Sequence, residues 1–411
     1  MRTRWLAAFA LVSSLAACVD ETDDVLSEDD EDGDAYDPFS PKADGNQGLG
    51  GAISFTAKCE PGDRVTIAAV GDVLLHGPLQ QQAVARASSG RFKTLWAPVE
   101  DLLAQADTTY ANFEGPSARG TNSAGRSVTD PGFVFDQIVY ASYPQFNYHG
   151  HLPADLKASG FDVVSTANNH SMDRRQRGAD LTVEAMQAAG LPFTGTRSRA
   201  DMSAPWHTTT EANGFTLAWL ACTYGTNGLP DPDNQVLGCW DDETTIKTTI
   251  RTLRATPGID AVIVTPHWGV EYSANPSREQ RDLAHRFLDA GATIVLGSHP
   301  HVLQPWEKYT TPDGREGFVI YSLGNFVSNQ SQLARRSTLL LYVGLTRTAS
   351  GVKINGVRYI PMIMGRTGTL AVEAIDRAGG SVESRRMTVG MFGSENIQDP
   401  AQPLDTTPGC P

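Results

Sequence analysis

Ala292-Thr293-Ile294-Val295-Leu296-Gly297-Ser298-His299-Pro300-His301 is the stretch on which the reading of the whole chain turns. Ala292–Leu296 is a short apolar run, the pattern of a strand covered on both faces. Two histidines stand just past its C-terminal end, with Pro300 stiffening the turn between them. In open α/β sheets, ligands bind in the crevice outside the carboxyl ends of the strands. Imidazoles at i and i+2 on such a loop can face one or two metal ions.

Other apolar runs end in the same kind of residue. Val65–Val70 leads to Asp72, with His76 close behind, and Thr109–Phe113 leads to Glu114. Asp162–Thr166 leads to Asn169 and His170, with Asp173 nearby. Asp260–Thr265 leads to His267 and Glu271, and Phe318–Leu323 leads to Asn325. Thr216–Ala221 reads as a further strand. Helical patterns separate these runs at Gln80–Ala87, Leu95–Ala106, Ala154–Ser159, Asp180–Ala189, Asp242–Ala255 and Ser277–Ala290, the last with Ser277 as its cap. This alternation predicts an α/β fold with a largely parallel sheet core. Beyond Asn325 the runs Ser337–Leu345 and Val357–Met364 predict an antiparallel β addition at the sheet edge or a second sheet.

Carboxylate, amide and imidazole groups thus gather at one rim. Oxygen and imidazole donors without thiolate suit Mn, Fe or Zn. A carboxylate shared by two ions about 3.5–4 Å apart makes a two-metal hydrolytic site. Glu114 is the natural bridge. His170 is placed as the acid or positioner rather than a ligand, and Asp173 as the group that orients a histidine. Glu271 and Asn325 are candidates for supporting the ligands or touching substrate. Arg174, Arg175 and Arg177 form a basic cluster that suits an anionic substrate or a solvated loop, and Trp268 and Tyr272 either line a cleft or pack over it.

The motifs Gly71-Asp72, Asn112-Phe113-Glu114-Gly115-Pro116, Ala167-Asn168-Asn169-His170 through Asp173 and Gly178, His267-Trp268-Gly269-Val270-Glu271-Tyr272, Gly297–Val302 with Gln304 and Glu307, and Tyr321–Phe326 stand in this order. Together they resemble the motif series of CapA-type proteins of capsule and poly-γ-glutamate synthesis, over about residues 64–330. The resemblance implies a metallophosphoesterase-like αββα sandwich with a dinuclear-type site. Carried over residue by residue, it implies Asp72, Glu114, Asn169, His267, His299 and His301 as metal ligands, and His170 as the acid. Two positions depart from the wider phosphoesterase pattern. Leu74 stands where a ligand histidine is expected, so His76 is the candidate to supply it, and the bridge is Glu114 rather than Asp. The implied function is a metal-dependent hydrolase using two divalent ions on a phosphoester or an anionic envelope polymer. The alternative is a non-catalytic, polymer-binding or export-assisting envelope lipoprotein.

The ends of the chain fit an exported protein. Arg2 and Arg4 precede the apolar Trp5–Val12, and Leu15-Ala16-Ala17-Cys18 resembles a bacterial lipobox, implying cleavage before Cys18 and its lipidation. Residues 1–18 are thus read as a lipoprotein signal and 19–48 as an acidic tether. Residues 59–395 are read as the folded domain and 396–411 as a tail. The net charge is −14, of which residues 19–42 carry −10 and the signal +2, leaving −6 on residues 43–411. A mildly acidic body without a basic stripe argues against a nucleic-acid partner. Cys59, Cys222, Cys239 and Cys410 are an even set, the mark of disulfides in an exported chain. Pairing Cys222 with Cys239 closes a short loop, and pairing Cys59 with Cys410 clamps first residues to last; the other pairings stay open.

Overall fold

The structure is a computed structural model that describes residues 49–410. The expected signal, the acidic tether and Cys18 lie outside the described residues. Four strands open the first sheet: β1 (Asp63–Val73), β2 (Thr108–Phe113), β3 (Val163–Ser165) and β4 (Phe193–Thr194). The chain then builds a second sheet from β5 (His207–Ala212), β6 (Phe215–Thr223), β7 (Ala261–His267), β8 (Ile294–Leu296), β9 (Leu303–Thr310) and β10 (Glu316–Leu323). It returns to the first with β11 (Asn325–Val327), β12 (Ser337–Thr348), β13 (Gly351–Met364) and β14 (Val372–Ala374). The first sheet has the order β14-β13-β12-β1-β2-β3-β4, with β11 beside the end of β1, and the second β5-β6-β7-β8-β10-β9.

β1 to β4 run parallel, as do β6, β7, β8 and β10. The expected antiparallel addition is present, with β12 pairing against β1 and β13 and β14 following. The two sheets share an apolar core that includes Ile67, Tyr110, Trp219, Ile263, Leu296, Ile320 and Leu341. The opposite face of the first sheet is covered by α1 (Gly77–Ala85), α2 (Glu100–Leu103) and α3 (His151–Ala158), through Leu79, Leu102, Leu152 and Leu156 among others. Met186 of α4 (Arg175–Ala189) joins the same cluster. The outer face of the second sheet is covered by α5 (Glu243–Ala255) and α6 (Arg278–Ala290), through Ile246, Ile250, Leu283 and Phe287. Layering helix, sheet, sheet and helix gives the expected αββα sandwich. Ser277 caps α6 reciprocally with Gln280, as the sequence predicts.

Several elements differ from the sequence expectation, three of them for a local reason. The helix expected over Leu95–Ala106 is broken into 3₁₀ turns at Arg91–Leu95 and Ala97–Val99 before α2, because Pro98 has no amide hydrogen to continue a helix. β5 was not anticipated. It pairs with β6 across Asn213 and Gly214, which take φ of 46° and 77°, a two-residue turn that matches strand twist. β9 is a further addition; Pro305 inside it is tolerated because the strand lies at the sheet edge.

Of the pairings left open, the structure forms Cys59 with Cys410 and Cys222 with Cys239. Residues 396–410 lie against β13: Tyr359 N donates to Asn396 O at 2.9 Å, and Gln398 N donates to Tyr359 O at 2.8 Å. Among the described residues no helix is long and apolar enough to cross a membrane.

Candidate metal centre

The parallel strands deliver their C-terminal ends to one place. Gly71, just before Asp72, lets β1 approach the next segment closely, since an added methyl would overlap the carbonyl oxygen of Gly324. In the parallel register Asp72 stands opposite Asn112 on β2 and Asn325 on β11. Asn112 Nδ2 donates to Asp72 Oδ1 at 2.8 Å. Glu114 lies two residues beyond Asn112, on the same side by strand alternation.

His267 closes β7 and is fully buried. Its Nε2 lies 2.9 Å from Asn169 Oδ1 and 3.6 Å from Glu114 Oε1. Its Nδ1 lies 3.0 Å from Ser298 Oγ and 3.2 Å from Asn112 Nδ2. His301 Nε2 lies 3.7 Å from the same Glu114 oxygen, and His301 Nδ1 lies 3.1 Å from both Asp72 Oδ2 and Asn325 Oδ1. Three donor groups result, each with its atoms within 4.8 Å of one another: Glu114, His267 and His299; Asp72, Glu114 and His301; Glu271, His299 and His301. Glu114 belongs to the first two. His299 and His301 sit at φ of 100° and 58°, a left-handed backbone that side chains rarely adopt. Such strain persists only where the surroundings hold it, and here it turns both imidazoles inward.

The donor set fits a divalent cation. Both Glu114 oxygens are buried without a hydrogen-bond partner, as is His299 Nδ1. A buried carboxylate left unpartnered costs several kcal/mol, roughly, and a cation removes that cost. Burial, and then the Asp72 charge, push the Glu114 carboxyl well above its usual range. Burial, then the neighbouring imidazoles, hold His267 and His299 well below theirs, so both stay neutral with lone pairs to offer. For His301 burial opposes the charged form, but Glu114 and Asp72 prevail and raise it to about 9.

His170 belongs to none of the three donor groups. Its Nδ1 lies 2.7 Å from Asp173 Oδ2, which also accepts from Phe146 N at 2.7 Å, and its ring meets the edge of Phe146. Asp173 therefore holds His170 through Nδ1 and leaves Nε2 out of that contact. Because His170 is outside the donor groups, replacing Asp173 with Asn is expected to leave metal content, read by elemental analysis, at the wild-type level. Asn325 orients His301 from two sides, through Oδ1 on the ring and Nδ2 to His301 O at 3.2 Å.

Some residues singled out in the sequence stand apart from the donor groups. His76 is in none of the donor groups: after Val73 the chain turns into α1, which leaves His76 at the helix start, accepting from Asn329 N at 3.3 Å and set against Phe146. Leu74, in the position of the expected histidine, is buried in the apolar core. Arg174 of the basic cluster turns inward, buried and donating to the carbonyls of Gln145, Asp173 and Val139, while Arg175 and Arg177 are half-buried. Trp268 is likewise packing, with Nε1 donating to Tyr321 O.

Sequence reasoning did not assign Asn112, Ser298, Tyr224 or Arg335. Asn112 was legible from alternation with Glu114. Tyr224 was legible as the residue just past β6; its ring lies 4.5 Å from His299 and its amide donates to His267 O at 2.9 Å. Ser298 and Arg335 carry no such local signal.

Residues 66–330 match the family described as bacterial capsule synthesis protein PGA_cap. The chain is similar to the PGA biosynthesis protein CapA of Bacillus subtilis (strain 168), 29% identical over 308 residues that cover 70% of each chain. It is similar also to the capsule biosynthesis protein CapA of Bacillus anthracis, 26% identical over 297 residues, covering 71% of this chain and 66% of the other. Among solved structures, the calcineurin-like phosphoesterase YfkN from Bacillus subtilis aligns with a TM-score of 0.40 and 15% identity, covering 80% of this chain and 96% of that one. The chain belongs to the bacterial capsule synthesis protein PGA_cap family.

Proposed function

We propose that this chain is a metal-dependent hydrolase of the cell envelope, acting on a phosphoester or another polar bond in an anionic polymer of the capsule or poly-γ-glutamate type. The observation that carries the proposal is Glu114, a buried carboxylate with no hydrogen-bond partner, common to two groups of metal donors. Asp72, Glu114, Asn169, His267, His299 and His301 would hold two divalent ions, with Mn, Fe or Zn suiting the donors. Bound there, such ions supply Lewis acidity and a nucleophile at neutral pH. His170, fixed by Asp173, holds the proton that the leaving group takes. Lipidated Cys18 would anchor the domain to the membrane through the acidic segment.

A second reading, a polymer-binding protein without turnover, is favoured by one observation, the buried Leu74 and the position of His76 outside the donor groups. One experiment separates the two. The purified chain is assayed for metal by elemental analysis and for hydrolysis of a chromogenic phosphodiester, alongside His301→Ala. Bound metal and turnover that disappear together in His301→Ala support the hydrolase. Turnover that survives complete chelation defeats it, and polymer binding without turnover, unchanged in His301→Ala, establishes the second reading.

A further inference from the structure

Arg335, on the short helix α7 (Leu333–Arg336), is only 8% exposed, yet it forms no ion pair among the described residues. Its Nε is buried without a hydrogen-bond partner. Its guanidinium lies on the face of Tyr272, with Cζ 3.3 Å from the ring centroid. A buried cation ordinarily has a counter-charge, because desolvation is otherwise uncompensated. A ring face offsets part of that cost, and the planar fork of donors keeps its capacity for an oxyanion.

Both residues are fastened to the donor cluster. Tyr272 N donates to Pro300 O at 2.7 Å, between the two ligand histidines, and its ring centroid lies 6.1 Å from that of His301. Tyr272 itself takes a φ of 67°, so its placement is held against backbone preference. The Arg335 carbonyl accepts from Asn325 Nδ2 at 2.9 Å, the amide whose Oδ1 faces His301 Nδ1. Hydrogen bonding and ring contact thus tie the unpaired guanidinium to one edge of the metal centre.

We infer that Arg335, supported on Tyr272, is a specificity-determining residue that binds an anionic oxygen group of the substrate, a carboxylate or a phosphate, beside the metal centre. This rests on the proposal that the centre handles an anionic substrate, but it is tested by binding rather than by turnover. Inorganic phosphate and glutarate serve as the two anionic probes and glutaramide as the neutral control, titrated calorimetrically into the full chain with its metals. In Arg335→Gln, binding of phosphate, glutarate or both is expected to weaken at least about tenfold, with metal content and melting temperature unchanged. Arg335→Lys is expected to recover part of the affinity. Selective loss of phosphate assigns the subsite to phosphoryl groups, and selective loss of glutarate to carboxylates. Wild-type affinity for both anions in Arg335→Gln overturns the inference. So does loss of metal in step with loss of binding, which makes Arg335 a prop for the centre. If anions bind through Arg335 but no hydrolysis occurs, the subsite stands and the hydrolase reading falls.

Discussion

Glu114→Gln is expected to remove bound metal from both donor groups at once. Glu114 Oε1 lies 3.6 Å from His267 Nε2 and 3.7 Å from His301 Nε2, so one side chain serves both sides of the centre. Replacing a residue that serves a single group, such as Asp72, leaves the other group's donors in place. The metal-free chains give the control. Burial and the Asp72 charge already favour a proton on Glu114. Gln copies that neutral carboxyl, so the metal-free variant should fold with a stability within about 1 kcal/mol of the wild type. What the variant loses is the gain on adding metal, about 2.7 kcal/mol per site when the free ion is at 100 times its dissociation constant. Thermal melts with and without added Mn or Zn, paired with elemental analysis, measure both quantities. A Glu114→Gln chain that keeps a full complement of metal would falsify the bridging role.

Reducing the disulfides is the second large effect. Cys59 and Cys410 are 351 residues apart, and Cys222 and Cys239 are 17 apart. Closing loops of these sizes restricts the unfolded chain by roughly 6 and 3 kcal/mol respectively. The longer link also secures local packing. Asn396 binds Ile53 through both N and O of its amide, at 3.0 Å each, so the first and last described segments share one seam along β13. Cys59→Ser with Cys410→Ser should therefore lower the denaturation midpoint more than Cys222→Ser with Cys239→Ser. The shorter loop carries Tyr224 to His299, and its loss is expected to show first in metal affinity. Titration of the unfolded, unreduced domain should find none of these four thiols free. An unchanged midpoint in reductant would remove the covalent links from the account of stability.

The donors were legible in the sequence because buried parallel strands announce themselves as apolar runs, and the polar residue ending each run has one rim to occupy. Asp72, Glu114, His267, His299 and His301 all follow that rule. His76 does not, because its place depends on where α1 begins, and no residue type at Gly77-Pro78 tells how the preceding turn directs the ring. Pro98 was a local signal against one long helix, and Asn213-Gly214 a local signal for a hairpin. Arg335 was beyond local reading, since its place depends on pairing between Tyr272 and a segment some sixty residues later, across both sheets.

The two sheets also set the order in which the molecule can acquire its ions. Asp72 and Glu114 come from the first sheet and His267, His299 and His301 from the second, so neither donor group that contains Glu114 lies within one continuous piece of chain. Of the donors in these two groups, an unfolded chain offers an ion only the neighbouring histidines of Gly297–His301 side by side. Under the proposed function, metal would therefore not template this fold but stabilise it once the two sheets have closed. An ion would meet a finished cage, so the compartment in which folding is completed would select it.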